Sequence, residues 1–165
     1  MIELQAKIYY GRSESLFILK ITGVLRFNQC AVLEHFLKTT LHKKLDHCLL
    51  VDLSEAQLLD STALGLLAQI AMQFAQLNHK NPELYCPDND LKKVLLSMSL
   101  DQLFHFVSQA PVKSDLPELN LKSDKSDQQT QRVLSAHHTL MGLSDKNKQE
   151  FKSVVDMLQD SLRSD

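Results

Sequence analysis

The spacing of apolar residues predicts strands at the start of the chain. Residues 4–10 alternate weakly, and residues 16–22 are rich in apolar and β-branched side chains, so each stretch predicts a strand. Gly11, Arg12 and Ser13 have the composition of a turn, and Gly23 is expected to end the second strand. The two strands together predict an opening β-hairpin.

The apolar period changes to that of a helix after Asn28, a residue suited to an N-cap, and stays helical as far as Lys44. The near-continuous apolar stretch 47–53 predicts a central strand covered on both faces. A loop over 54–59, a helix over 62–77, a strand over 84–86, a helix capped within 88–90 and a strand over 103–107 follow. This alternation predicts an α/β fold with a mixed sheet of four to five strands, parallel pairs and helices packed against it.

The composition changes after residue 108. We therefore divide the chain into a first domain over residues 1–108, a linker over 109–131 and a C-terminal helical pair over 132–165, whose second helix is expected to be capped at Ser144. Two helices alone bury too little apolar surface to be stable. We expect them to dock on the first domain, on a second copy of the chain as a homodimer contact, or on a partner.

Composition narrows the classes of function. The 165 residues are 44% hydrophobic and 23% charged, with a formal net charge of -2, which is typical of a globular protein and gives no support for nucleic-acid binding. No apolar run approaches the ~20 residues that span a bilayer, and the N-terminus lacks the pattern of a secretory signal. Cys30, Cys48 and Cys86 are widely spaced and odd in number, which indicates reduced thiols and a cytoplasmic location without a metal site.

The stretch Asp60-Ser61-Thr62 carries the candidate chemistry, because it opens an amphipathic helix directly after a strand and a loop. Ser61 is expected at or next to the N-cap, where backbone N–H groups lack partners within the helix. A phosphate on Ser61 would be accommodated there and would add roughly −1.5 to −2 charges to the surface. The alternative without a regulatory role is that Ser61, or the Asp60 carboxylate, only caps the helix.

Asp52-Leu53-Ser54 followed by Asp60-Ser61-Thr62-Ala63-Leu64-Gly65 resembles the signature of the STAS domain of bacterial anti-sigma factor antagonists, over about residues 2–108. The resemblance implies a non-catalytic protein that binds an anti-sigma factor, often itself the serine kinase, and is released when Ser61 is phosphorylated. A PP2C-type phosphatase would restore the unphosphorylated form. A small nucleotide ligand is possible for this family, but no phosphate-binding sequence supports it here, so no cofactor is expected. The expected partner-binding residues are Asp52, Ser54, Asp60, Ser61, Thr62 and Leu64, with Thr62 a less favoured phosphoacceptor.

One departure and two alternatives accompany this resemblance. Ala63 stands where the family usually has glycine, which changes how closely a partner backbone can approach the start of the helix. The same switch could act on a non-sigma target, such as a biofilm or cyclic-dinucleotide signalling regulator, or the chain could be a scaffold subunit. An enzyme is not expected, since the sequence has no Gly-x-Ser-x-Gly elbow, P-loop or dinucleotide motif, and nothing in it brings a general base near Ser61.

Overall fold

Five strands form one mixed sheet in the order in which they occur in the chain, and helices alternate with them. The computed structural model describes residues 4–120 and 126–164. Its elements are β1 (Lys7–Ser13), β2 (Leu16–Leu25), α1 (Ala31–Thr39), β3 (Cys48–Leu59), α2 (Ser61–Asn78), β4 (Glu83–Tyr85), α3 (Asn89–Ser97), β5 (His105–Val107), α4 (Ser126–Met141) and α5 (Asp145–Arg163).

The predicted fold class is confirmed at the level of an α/β protein with a mixed sheet. β1 and β2 pair antiparallel as the predicted hairpin, whereas β2–β3, β3–β4 and β4–β5 pair parallel. The predicted order of strands and helices is also confirmed. None of the helices in residues 4–120 and 126–164 is long and apolar enough to cross a membrane.

The predicted boundaries of the hairpin are wrong at both glycines. β1 continues through Gly11 to Ser13, and the chain turns at Glu14, which has a φ of 53°. Gly23 lies inside β2 with a φ of 74°, where the pairing register with β3 shifts. A Cβ atom at Gly23 would lie 2.5 Å from the Leu4 carbonyl oxygen, so glycine here permits the close approach of another backbone segment and does not end the strand.

The predicted loop over 54–59 is also wrong, because β3 continues to Leu59 and pairs with β2 as far as Leu25. Both register shifts between β2 and β3 place an extra residue in β3, and this breaks the simple alternation of buried and exposed positions in this half of β3. Asn28 is likewise not the N-cap of α1. It lies in a 3-10 turn over Phe27–Gln29, and α1 follows without a side-chain cap.

The helices cover one face of the sheet. Leu19, Val51 and Leu84 from three neighbouring strands join one core with side chains of α1, α2 and α3. The opposite face carries Ile18 and Asp52, and residues 110–116 lie over it. The strand alternation thus sends successive side chains into two different environments.

The segment predicted as a linker is partly tied to the sheet. The Tyr10 N–H donates to the Pro117 carbonyl at 3.0 Å, and the Leu119 N–H donates to the Ile8 carbonyl at 2.7 Å, so the chain follows the outer edge of β1. α4 begins at Ser126, within the predicted linker. These bonds cover an edge strand that would otherwise present unpaired backbone groups.

The C-terminal helices pack on the body of the same chain. Ala136, Leu140 and Phe151 belong to the same core as the residues of α2, and Ser144 caps α5 as predicted. Asn147 at the start of α5 is fully buried. Its side-chain amide donates to the carbonyl oxygens of Met98, after α3, and of Leu140, in α4, both at 2.9 Å.

We predict that Asn147→Ala lowers the free energy of unfolding by about 1–3 kcal/mol, because the buried Leu140 carbonyl and the partly buried Met98 carbonyl lose their donor. Urea unfolding monitored by circular dichroism measures the change. Lys148→Ala, at an exposed position of the same helical turn, serves as the control and should stay within about 0.5 kcal/mol of the wild type. Equal effects of the two variants would contradict the structural role of Asn147.

Candidate functional site

The start of α2 is fixed by the carboxylate of Asp60. One oxygen of Asp60, Oδ1, accepts from the Ala63 N–H at 2.9 Å and so caps α2. The other oxygen, Oδ2, accepts from the Phe27 N–H at 2.6 Å, and the Asp60 N–H donates to the Leu25 carbonyl at 3.1 Å. The Asp60 side chain therefore joins the 3-10 turn to the first turn of α2, and its backbone N–H adds a bond to the end of β2.

Ser61 is the first residue of α2, and its side chain is partly buried. Its Oγ lies 2.8 Å from Nε2 of His137 in α4, a residue 76 positions away in the sequence. The other ring nitrogen of His137, Nδ1, lies 2.6 Å from the Val133 carbonyl oxygen. Because a carbonyl can only accept, Nδ1 carries the hydrogen, and in the neutral ring Nε2 accepts from the Ser61 hydroxyl.

The expectation that no base lies near Ser61 is therefore wrong. The His137 ring is 4% exposed and meets the Phe151 ring edge to face at a centroid distance of 5.1 Å. A serine hydroxyl bonded to imidazole is the geometry of a nucleophile and its base. The group that orients the ring is the uncharged Val133 carbonyl, so no carboxylate on that nitrogen stabilises an imidazolium.

α4 approaches α2 very closely at Gly65. A Cβ atom on Gly65 would lie 2.3 Å from the Ala136 carbonyl oxygen and 2.7 Å from the Ala136 Cβ. Since no side chain fits this gap, glycine in α2 and alanine in α4 permit the two backbones to meet. The glycine that closes the Asp-Ser-Thr-Ala-Leu-Gly stretch thus has a packing role here.

Polar side chains surround this contact. The Gln69 amide donates to the Ser135 and Thr139 hydroxyl oxygens, each at 3.0 Å. Arg132, only 3% exposed at its side chain, pairs with Glu34 of α1 through Nε and Oε2 at 2.8 Å. The interface between α4 and the body of the protein is therefore mixed in character, with small apolar residues, an ion pair and neutral hydrogen bonds.

Cys30, just before α1, is close to the charges at this site. Burial raises the pKa of its thiol well above the ordinary range, the negative charge of Asp60 raises it further, and Arg132 opposes the shift. The thiol is consequently protonated at neutral pH and takes no part as a nucleophile. All three cysteines are free, with Cys30 and Cys86 buried and Cys48 only partly so.

The structure brings together only some of the predicted partner-binding residues. Asp60 and Ser61 lie side by side at the start of α2, whereas Thr62 and Leu64 are each only 2% exposed. Asp52 is buried on the opposite face of the sheet, where its Oδ1 accepts from the Ser54 N–H at 2.9 Å. Asp52 and Ser54 line a separate cavity of about 640 Å³ beneath residues 110–116.

Two residues at the site were not singled out by the sequence. Phe27 donates its N–H to Asp60 while its own side chain is 46% exposed, a large apolar group beside the start of α2. His137 is the other, because its contact with Ser61 spans 76 positions and no local pattern indicates it. In the part of the chain that the structure describes, no group of three or more His, Cys, Asp or Glu side chains could hold a metal ion.

A scan of the sequence against protein-family models finds no match, and a search of curated proteins finds none either.

We predict that Asp60→Ala lowers the free energy of unfolding by about 2–4 kcal/mol, because it removes a helix cap and a second bond to a backbone N–H. Asp88→Ala is the matched control. Asp88 caps α3 through the Leu91 N–H, so its loss should cost about 1 kcal/mol. Chemical denaturation of the two variants measures the difference, and a cost for Asp60→Ala no larger than that for Asp88→Ala would contradict the double role of Asp60.

Proposed function

We propose that this chain is a STAS-type anti-sigma factor antagonist, a partner-binding protein whose affinity is set by phosphorylation of Ser61. The observation that carries the proposal is the position of Ser61 as the first residue of a long helix, directly after a carboxylate that fixes the start of that helix. The motif around Ser61 supports the family, and the α/β fold with a mixed sheet is compatible with it.

The position suits a phosphate for physical reasons. The first N–H groups of a helix lack partners within the helix, and the helix dipole favours negative charge there. A phosphorylated Ser61 would therefore change the surface more than it changes the stability of the sheet. The added charge would repel a partner whose interface meets the start of α2, and its removal would restore binding.

The neighbourhood also suits a protein partner. Phe27 presents an exposed aromatic side chain next to the Asp60 carboxylate, and an apolar anchor beside a charge-controlled hydroxyl is the kind of surface that partners recognise. In the proposed pathway the partner is an anti-sigma factor that is also the serine kinase, and a PP2C-type phosphatase reverses the modification. Pull-down with the unphosphorylated protein would distinguish a sigma-pathway partner from a biofilm or cyclic-dinucleotide regulator.

The Ser61–His137 pair favours a second candidate function, acyl transfer with Ser61 as nucleophile. A fluorophosphonate probe distinguishes the two, since an activated serine is labelled covalently and a phosphoacceptor serine is not. Labelling of Ser61 that is lost in His137→Gln would favour the enzyme, whereas absence of labelling would favour the switch.

We predict that the cognate serine kinase and ATP modify Ser61 and that Ser61→Ala abolishes the modification, as mapped by mass spectrometry of the intact chain and its peptides. Ser108→Ala removes an exposed serine directly after β5 and is the control that should be phosphorylated like the wild type. Full phosphorylation of Ser61→Ala at another residue would overturn the assignment. Thr62 is a poor acceptor because it is only 2% exposed.

We also predict that Phe27→Ala weakens binding of the kinase by about tenfold or more, since a buried aromatic anchor typically contributes over 1 kcal/mol to an interface. Val94→Ala, which removes an apolar side chain 39% exposed on α3, is the control and should bind like the wild type. Titration calorimetry measures both affinities. Equal affinities for the two variants would exclude Phe27 from the interface.

A further inference from the structure

The C-terminal hairpin, which comprises α4, α5 and the connection over residues 142–144, covers the part of α2 that carries Ser61. His137 holds the Ser61 hydroxyl, Ala136 lies against Gly65, and Ser135 and Thr139 accept from Gln69. These contacts follow one face of α2 over its first turns. A partner that meets the start of α2 would have to take the space that α4 occupies.

The contact at Gly65 shows what kind of surface lies beneath α4. Because the Ala136 carbonyl oxygen lies only 2.3 Å from where a Gly65 Cβ would be, the surface accepts a helix backbone with a small residue at that point. The Ser61 hydroxyl beside it donates to an acceptor on the same helix. The surface is therefore shaped for an amphipathic helix and not for a flat sheet or a loop of large side chains.

The composition of this contact also permits the hairpin to leave. His137, Arg132 and Gln69 form hydrogen bonds or an ion pair across it, and water can replace such bonds when the surfaces separate. The strands beneath are held by a continuous apolar core, which the hairpin joins through Ala136, Leu140 and Phe151. Interfaces of mixed polarity between parts of one chain generally permit relative motion.

We infer that the C-terminal hairpin occupies in cis the surface that a helix of the partner takes in trans. The partner helix carries a small residue opposite Gly65 and a hydrogen-bond acceptor opposite Ser61. Opening of the hairpin also frees the Ser61 hydroxyl from His137, so it precedes access by a kinase. This regulatory meaning rests on the proposed function, whereas the exchange of one helix for another does not.

Native-state hydrogen exchange of the full chain tests whether the hairpin opens. In the wild type, amides of α4 and α5 should exchange through a local opening, at least about tenfold faster than the slowest amides of β2 and β3. Equal protection of the hairpin and the central strands would make the hairpin a permanent layer and overturn the inference.

Two variants should both release α4 but leave different surfaces for a partner. Ala136→Glu should release α4 and leave the surface of α2 intact. Gly65→Ala should also release α4, because the new Cβ would clash with the Ala136 backbone. The same Cβ should prevent a helix in trans from binding to this surface. Gly142→Ala is the matched control, since its Cβ would have ordinary contacts, with the Thr139 carbonyl oxygen nearest at 3.4 Å, and should leave the exchange of α4 unchanged.

A fluorescently labelled peptide of residues 126–164 serves as the trans helix in an anisotropy titration. Ala136→Glu should bind it at least about 100-fold more tightly than the wild type, whose own hairpin fills the surface about 99% of the time. The double variant Gly65→Ala/Ala136→Glu should lose this binding. Equal binding by Ala136→Glu and the double variant, or no binding by either, would overturn the inference.

A covalent lock provides a second readout on the same chain. Gln69→Cys and Ser135→Cys, introduced with Cys48→Ser, can be joined by a short bismaleimide because both positions reach solvent. The locked protein should be phosphorylated at least about tenfold more slowly than the same variant before linking. Phosphorylation at an equal rate would exclude the hairpin as a cover. If Ser61 is phosphorylated in neither form, the result counts against the proposed function. The hydrogen-exchange and peptide-binding results then test the inference on their own.

Discussion

The structure around the site depends on one carboxylate that bonds two chain segments at once. Asp60 accepts from the backbone of α2 and from the backbone of Phe27, so the ends of β2 and β3 and the start of α2 form one rigid corner. A helix cap alone would fix only the direction of α2. The second bond also fixes where α2 begins relative to the sheet, and this sets the position of the Ser61 backbone, while His137 of α4 bonds its hydroxyl.

Elements with a regular spacing of apolar residues over a short stretch could be predicted from the sequence. Prediction failed where a strand or helix distant in the sequence determines the conformation. The parallel strands and the α2 stripe follow from runs of apolar residues within a few turns. The second half of β3 has a polar pattern that resembles a loop, and it is a strand because β2 continues beside it past Gly23. A glycine inside a strand and a glycine that ends a strand cannot be distinguished without the neighbouring backbone.

The candidate site was likewise predicted only in part. Asp60 and Ser61 were identified because a cap and a phosphoacceptor have local signatures, whereas Asp52 and Ser54 share the motif but lie on the other face of the sheet. His137 could not be found from spacing, because 76 residues separate it from Ser61. The role of Gly65 could not be predicted for the same reason, since it is the docking of α4 that leaves no room for a side chain at this position.

A hairpin that competes with a partner must dock weakly, because its tether gives it an advantage. The chain is bonded to β1 at Leu119, and α4 begins at Ser126, so only a short segment separates the hairpin from the body. Short connections correspond to effective concentrations of about millimolar, which a partner at micromolar concentration must overcome. The contact combines apolar packing of Ala136, Leu140 and Phe151 with replaceable polar bonds, and the polar part lowers the cost of separating α4 from α2. A phosphate on Ser61 would then act on the competition between the hairpin and the partner helix. It does not fit between Oγ and Nε2 at 2.8 Å without separating α4 from α2, and its charge would also repel the partner.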